Sequence, residues 1–168
     1  MTKLNEVKFG VLPTPSWHKA KHEERYSFSR FASAYGWEVP DSIELRLPLP
    51  NFVKEYDQGS SNGCVGFSAC WVQSINNQSV LYNGMDAYHR AQEEDGDPLT
   101  TPQADNGTYG FAVWDVFKKY GPKLAKSGEI KKEHGVENYA WIKTVDEIRT
   151  GIGKGRPGCL YIPWGFLF

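Results

Sequence analysis

The chain has 168 residues, with 19 Lys plus Arg against 20 Asp plus Glu and a formal net charge of -1. That balance excludes a dedicated nucleic-acid binder, which carries a clear positive excess. A 40% hydrophobic fraction with 14% aromatic residues excludes a disordered chain, and the length suits one hydrophobic core better than two domains.

Seventeen glycines and ten prolines imply many turns, so a plain helix bundle is not expected. No stretch approaches the ~20 apolar residues of a membrane span, and the opening Met1-Thr2-Lys3-Leu4-Asn5-Glu6 lacks the apolar run of a secretory signal. Three cysteines, Cys64, Cys70 and Cys159, are too few for a disulfide framework. A reducing compartment is the expectation, with no membrane and no nucleic acid as partners.

Residues 1–42 read as an irregular, aromatic-rich strap across the domain, with a short helix around Glu23–Ser33 and turn chemistry at Gly36-Trp37-Glu38-Val39-Pro40. Ile43-Glu44-Leu45-Arg46-Leu47 alternates at period two and predicts a short strand, stopped by Pro48 and Pro50. The polar loop Tyr56–Gly63 then runs into Cys64. Apolar Cys64, Phe67, Trp71, Val72 and Ile75, at helical spacing, predict a largely buried helix that Asn76-Asn77 ends. A second helix is expected over Met85–Glu94, before Asp95-Gly96-Asp97-Pro98. A third runs over Tyr109–Tyr120 and is closed by Gly121-Pro122. The lysines between 115 and 133 read as a solvated face. Tyr139–Ile142 is read as a strand, and Thr144 with Glu147 as a capping box opening a helix that ends at Gly153–Gly155. Cys159–Ile162 is read as a last short strand before an aromatic tail.

One segment carries chemistry. A cysteine at a helix start faces free N–H groups and the positive end of the helix dipole, which favours the thiolate. Gln58, six residues upstream, can fold back as an oxyanion donor beside the Cys64 N–H. The same cysteine also reads as a small buried hydrophobe; the pattern alone leaves both open.

Asp57-Gln58-Gly59-Ser60-Ser61-Asn62-Gly63-Cys64-Val65-Gly66-Phe67-Ser68-Ala69 resembles the active-site segment of papain-like cysteine peptidases. Ile43-Glu44-Leu45-Arg46 is similar to the strand that opens mature members. Asn106-Gly107-Thr108-Tyr109-Gly110 is similar to the family's Asn-Gly-Gly-Tyr segment, whose backbone pairs with substrate. Glu147-Ile148, Gly155-Arg156-Pro157 and Cys159–Ile162 resemble the helix, turn and first strand of the second lobe.

The resemblance implies an α+β papain-like fold with the Cys64 helix at the centre of a helical lobe. Residues 43–168 would form that domain, its strand-rich second lobe truncated. It implies Cys64 and Gln58 as catalytic residues, Asn106, Gly107 and Thr108 as substrate-binding ones, no metal and no cofactor. A peptide or protein substrate would lie in the Cys64 groove. Residues 159–168 would contact another copy or an assembly partner, and the setting would be cytoplasmic or, as for small bacterial and phage members, virion-associated.

Departures accompany the likeness. Ser61 stands where many secreted relatives carry a disulfide cysteine, Val65 replaces the usual Trp, and Thr108 in place of glycine would crowd the groove. The family's base histidine and Asn-Ser-Trp segment have no counterpart. His18, His22, His89 and His134 all lie outside the expected context. Loss of a general base typically costs ~10²–10⁴ in rate, so the expectation is a papain-like peptidase or a truncated fragment of one, with weak or absent activity, the alternative being a non-catalytic structural or interaction protein in an assembly.

Overall fold

A computed structural model describes residues 11–12, 27–43, 56–77, 80–156 and 158. Five α-helices dominate: α1 (Phe28–Ala34), α2 (Cys64–Asn76), α3 (Gly84–Glu94), α4 (Gly110–Lys119) and α5 (Val145–Gly153). Two two-residue strands, β1 (Val11–Leu12) and β2 (Thr108–Tyr109), pair in parallel with Val11 opposite Thr108 and Leu12 opposite Tyr109.

The helix starting at Cys64 is central, as expected. It buries Val65, Ala69, Cys70 and Val72 together with Gln73 and Ser74, so more than one face is covered. Helix α3 packs across it and α4 packs on both. Phe111, Val113, Val116 and Phe117 of α4 complete the core. The α2–α3 approach is close because Gly66 lies against the Gly84 carbonyl and the backbone of Tyr88. Asn83 caps α3 through Oδ1, which accepts the Asp86 N–H at 3.0 Å.

Helix α1 ends in a Schellman motif. Trp37 N–H reaches Ala32 O at 2.8 Å and Gly36 N–H reaches Ser33 O at 3.2 Å, with Gly36 at φ +61. This turns Trp37 back onto Phe28 and Phe31, with ring centroids 6.2 and 5.3 Å away. At α5 the capping box forms: Glu147 N–H donates to Thr144 Oγ1, and Thr144 N–H to Glu147 Oε2. Replacing Thr144 with alanine is expected to cost about 1 kcal/mol, read as a lower urea midpoint at unchanged slope. The lysine-rich stretch is largely a solvated face. Lys119, Lys123 and Lys131 pair there with Glu94, Asp86 and Glu129, contacts worth little each at the surface.

The α+β expectation holds only in its helical half. Among the described residues there is no strand-rich second lobe. Tyr139–Ile142 is not a strand: a single bridge joins Trp141 to Ser27, where Phe28 N–H donates to Trp141 O at 3.0 Å. The ladder cannot lengthen, because α1 begins at Phe28 and the N–H groups of Lys143 and Thr144 are taken by the Glu147 carboxylate. Ile43 is described and not in a strand. Residues 44–47, most of the 1–42 strap, His18, His22 and the 159–168 segment fall outside the described residues.

Candidate functional site

Three short segments meet around the start of α2. The first is the loop before it, which closes on itself. Gly59 N–H donates to Asp57 Oδ1 at 2.8 Å, and the Gly59 backbone turns left-handed at φ +58. Ser61 donates through both N–H and Oγ to Gln58 O, at 3.2 and 2.8 Å. In return Gln58 Nε2 donates to Ser61 O at 2.9 Å. One N–H of the predicted oxyanion amide is thus spent on its own loop, and the second is left to it by the chemistry of the group. Gly63 is the N-cap, and its carbonyl accepts the first helical bond from Phe67 N–H at 3.1 Å.

Cys64 follows as the first helical residue, half-buried, while Cys70 on the same helix is completely buried. Neither is joined in a disulfide among the described residues.

The second segment is Asp105–Tyr109. Asn62 of the loop is gripped here: its N–H donates to Asp105 Oδ1 at 3.1 Å and its Nδ2 donates to Asp105 O. Asp105 is the one non-glycine residue with positive φ among those described, at 43°. Gly107, also left-handed at φ 89, has both backbone groups engaged inside the protein. Its N–H donates to Tyr88 Oη at 3.0 Å, and its carbonyl accepts Gln92 Nε2 at 3.1 Å. Asn106 Nδ2 donates to Leu99 O, while its buried Oδ1 has no partner among the described residues. Thr108 does not crowd a groove. Its side chain is wholly buried and donates to Asp95 Oδ2 at 2.7 Å. The backbone expected to pair with a substrate, at Thr108–Tyr109, pairs instead with Val11–Leu12 of the same chain.

The third segment is α3, which brings Tyr88 and Gln92. Tyr88 is fully buried, and its hydroxyl is a hub: it donates to Asp105 Oδ1 at 3.0 Å and accepts from Gly107 N–H and Gln92 Nε2. Burial pushes its pKa up to about 12, with the Asp105 carboxylate adding to the effect, so the hydroxyl stays a donor at neutral pH. Tyr109 is likewise raised to about 12 by burial and then by Asp97. The Tyr109 hydroxyl in return holds the Asp97 carboxyl below its ordinary range.

His134 is not placed to serve Cys64. Its Nδ1 meets Tyr82 Oη at 2.8 Å and its carbonyl accepts Gln73 Nε2 at 2.7 Å. Gln73 lies nine residues along α2 from Cys64, roughly 13 Å at the helical rise. His89 follows Tyr88 on α3 and lies half-buried against that ring, with centroids 5.6 Å apart.

Sequence reasoning missed Asn62, Asp105 and Tyr88. A signal for the middle one exists in Asp105-Asn106-Gly107, a run of the residue types that tolerate left-handed backbone. No protein-family model, curated protein or solved structure matches this chain.

Proposed function

We propose that Cys64 is the nucleophile of a papain-type thiol hydrolase site acting on peptide bonds, with Gln58 and the Cys64 N–H as its oxyanion donors. One observation carries the reading. A half-buried cysteine opens the central helix of the fold, directly behind a self-closed loop that holds Gln58. The first-turn N–H groups favour a thiolate at that place. A helix already fixed by its buried face need not reorganise to do so. The reading assigns a nucleophile and an amide donor, and no base.

A second reading, a non-catalytic papain-like binding or structural protein, draws support from a different observation. The Thr108–Tyr109 edge is already occupied by Val11–Leu12, and both backbone groups of Gly107 are internally bonded. An extended peptide would have to displace the chain's own segment to use that edge.

The test of the first reading is alkylation of the folded protein by iodoacetamide. Cys64 is expected to react at least tenfold faster than Cys70, with an apparent thiol pKa below the ~8.5 of a free cysteine. Equal rates, or a Cys64 pKa at or above the free value, would defeat the nucleophile assignment and leave the binding reading.

A further inference from the structure

We propose that Asp105 is a positioning residue of the Cys64 site, fixing the loop that delivers the nucleophile against the 106–108 segment; the inference rests on the thiol-site reading above.

A non-glycine residue in the left-handed region is held there against a steric penalty, and aspartate is among the few that tolerate it. Such strain persists only where the surroundings over-determine it, and it concentrates at functional sites. At Asp105 the surroundings are visible. The left-handed turn at φ 43 accompanies a main-chain carbonyl that accepts Asn62 Nδ2 and a side-chain Oδ1 that accepts the Asn62 N–H. Two acceptors on one residue grip both the backbone and the side chain of another, 43 positions away. A single bond would set a distance; this pair also sets an orientation.

What is gripped matters. Asn62 immediately precedes the N-cap Gly63, so its position sets how the chain enters α2 and where the Cys64 side chain starts. Asp105 immediately precedes Asn106, Gly107 and Thr108. The same Oδ1 accepts from Tyr88, whose hydroxyl in turn holds the Gly107 N–H. One carboxylate therefore fixes the two walls of the site relative to each other and to α3. Its donors among the described residues, Asn62 and Tyr88, are neutral, so geometry rather than ion pairing is its contribution.

The test uses the full chain and three forms: wild type, Asp105→Gly and Asp105→Asn. Glycine adopts the left-handed conformation freely, so D105G removes the side-chain acceptor while sparing the backbone and limiting the risk of misfolding. Asparagine tolerates the same backbone and retains an acceptor oxygen. Cys64 alkylation is measured with iodoacetamide and with acetyl-Val-Ala chloromethyl ketone, each normalised to its rate with N-acetylcysteine. Amide exchange is followed at Asn62 and Gly63.

In wild type the peptidyl reagent is expected to be favoured. D105G should lower the peptidyl rate tenfold or more and leave the iodoacetamide rate within threefold. It should also speed exchange at Asn62 and Gly63 at least tenfold, with the Val72 amide in mid-helix unchanged. D105N should stay within threefold of wild type throughout. A D105G protein that keeps the wild-type peptidyl preference overturns the inference, as does a D105N protein no better than D105G. If wild type shows no peptidyl preference, the thiol-site reading fails separately, and exchange alone decides. Acceleration at Asn62 and Gly63 then upholds Asp105 as the residue that fixes the loop, and unchanged exchange overturns it.

Discussion

Gly66→Ala is expected to destabilise the protein by about 3 kcal/mol or more, or to prevent folding, because overpacking against a rigid neighbour is at the costly end of core substitutions. In an exposed helix interior the same change would stabilise by roughly 1 kcal/mol, since alanine is the best helix former. The sign reverses here through geometry. A Cβ on Gly66 would lie 2.4 Å from the Gly84 carbonyl oxygen, 2.6 Å from the Tyr88 nitrogen and 2.8 Å from the Tyr88 Cβ. These are mostly backbone atoms of α3, which cannot rotate aside. Relief requires α2 and α3 to separate along their shared length, opening voids around Ala69, Ala87 and Ala91, which are now buried. It would also shift Tyr88, and with it the hydroxyl that serves Asp105 and Gly107. Gly84→Ala is the control. Its Cβ would meet the Phe67 ring at 2.7 to 2.9 Å, and a ring on a half-buried side chain can turn. The expected loss is smaller, about 1–2 kcal/mol. Urea unfolding of both variants gives the order directly. A G84A loss equal to or larger than that of G66A would contradict the backbone-to-backbone contact.

The helical half of this fold was legible because its signals are local. Glycine and proline after Tyr120, Asn76-Asn77 after the Cys64 helix, and Thr144 with Glu147 are short-range chemistry, and each marks the observed element to within a residue or two. The Tyr139–Ile142 strand failed for a non-local reason. A short apolar and aromatic run suits a pleated surface, and says nothing about whether a partner strand is available. The nearest partner, Ser27, is itself the N-cap of α1, which begins one residue later, so the ladder stops at one bridge.

The candidate site divides the same way. Cys64 at a helix start behind a polar loop follows from local pattern, whereas the closure of that loop through Gln58 and Ser61 is visible only in the structure. The grip of Asp105 on Asn62 spans 43 residues, and nothing at either position announces the other. The inward turn of Thr108 was equally hidden. A threonine beside an expected binding edge reads as an obstruction until its hydroxyl is seen against a buried carboxylate 13 positions away.

That carboxylate supports the second large prediction. Asp95 at the end of α3 is only 2% exposed. Its Oδ1 accepts the Asp97 N–H at 2.9 Å, and its Oδ2 accepts Thr108 Oγ1 at 2.7 Å. Thr100 Oγ1 lies 2.6 Å from both oxygens. A buried charge is tolerable only when its lone pairs are met, and hydrogen bonds to a charged group are worth about 1.5–3 kcal/mol against roughly 1 for neutral pairs. Asp95→Ala removes the acceptor and strands its donors. Thr100 has an alternative in Asp97 O at 2.9 Å, but wholly buried Thr108 would lose its acceptor. The expected loss is about 3 kcal/mol or more. Asp95→Asn should cost less, about 1–2 kcal/mol, because one carbonyl oxygen stays and the Thr108 hydroxyl can rotate to accept from the new amide. Thr108→Val isolates the link that anchors β2. If the Asp95–Thr108 bond holds the 108–109 edge to α3, D95A and T108V will be non-additive, with a coupling of about 1 kcal/mol or more. Urea unfolding of the four forms measures it. Additive losses would mean that β2 is held by its pairing with Val11–Leu12 and by the Tyr109 ring against Phe111, stacked at 5.6 Å, and that Asp95 stabilises only its own turn.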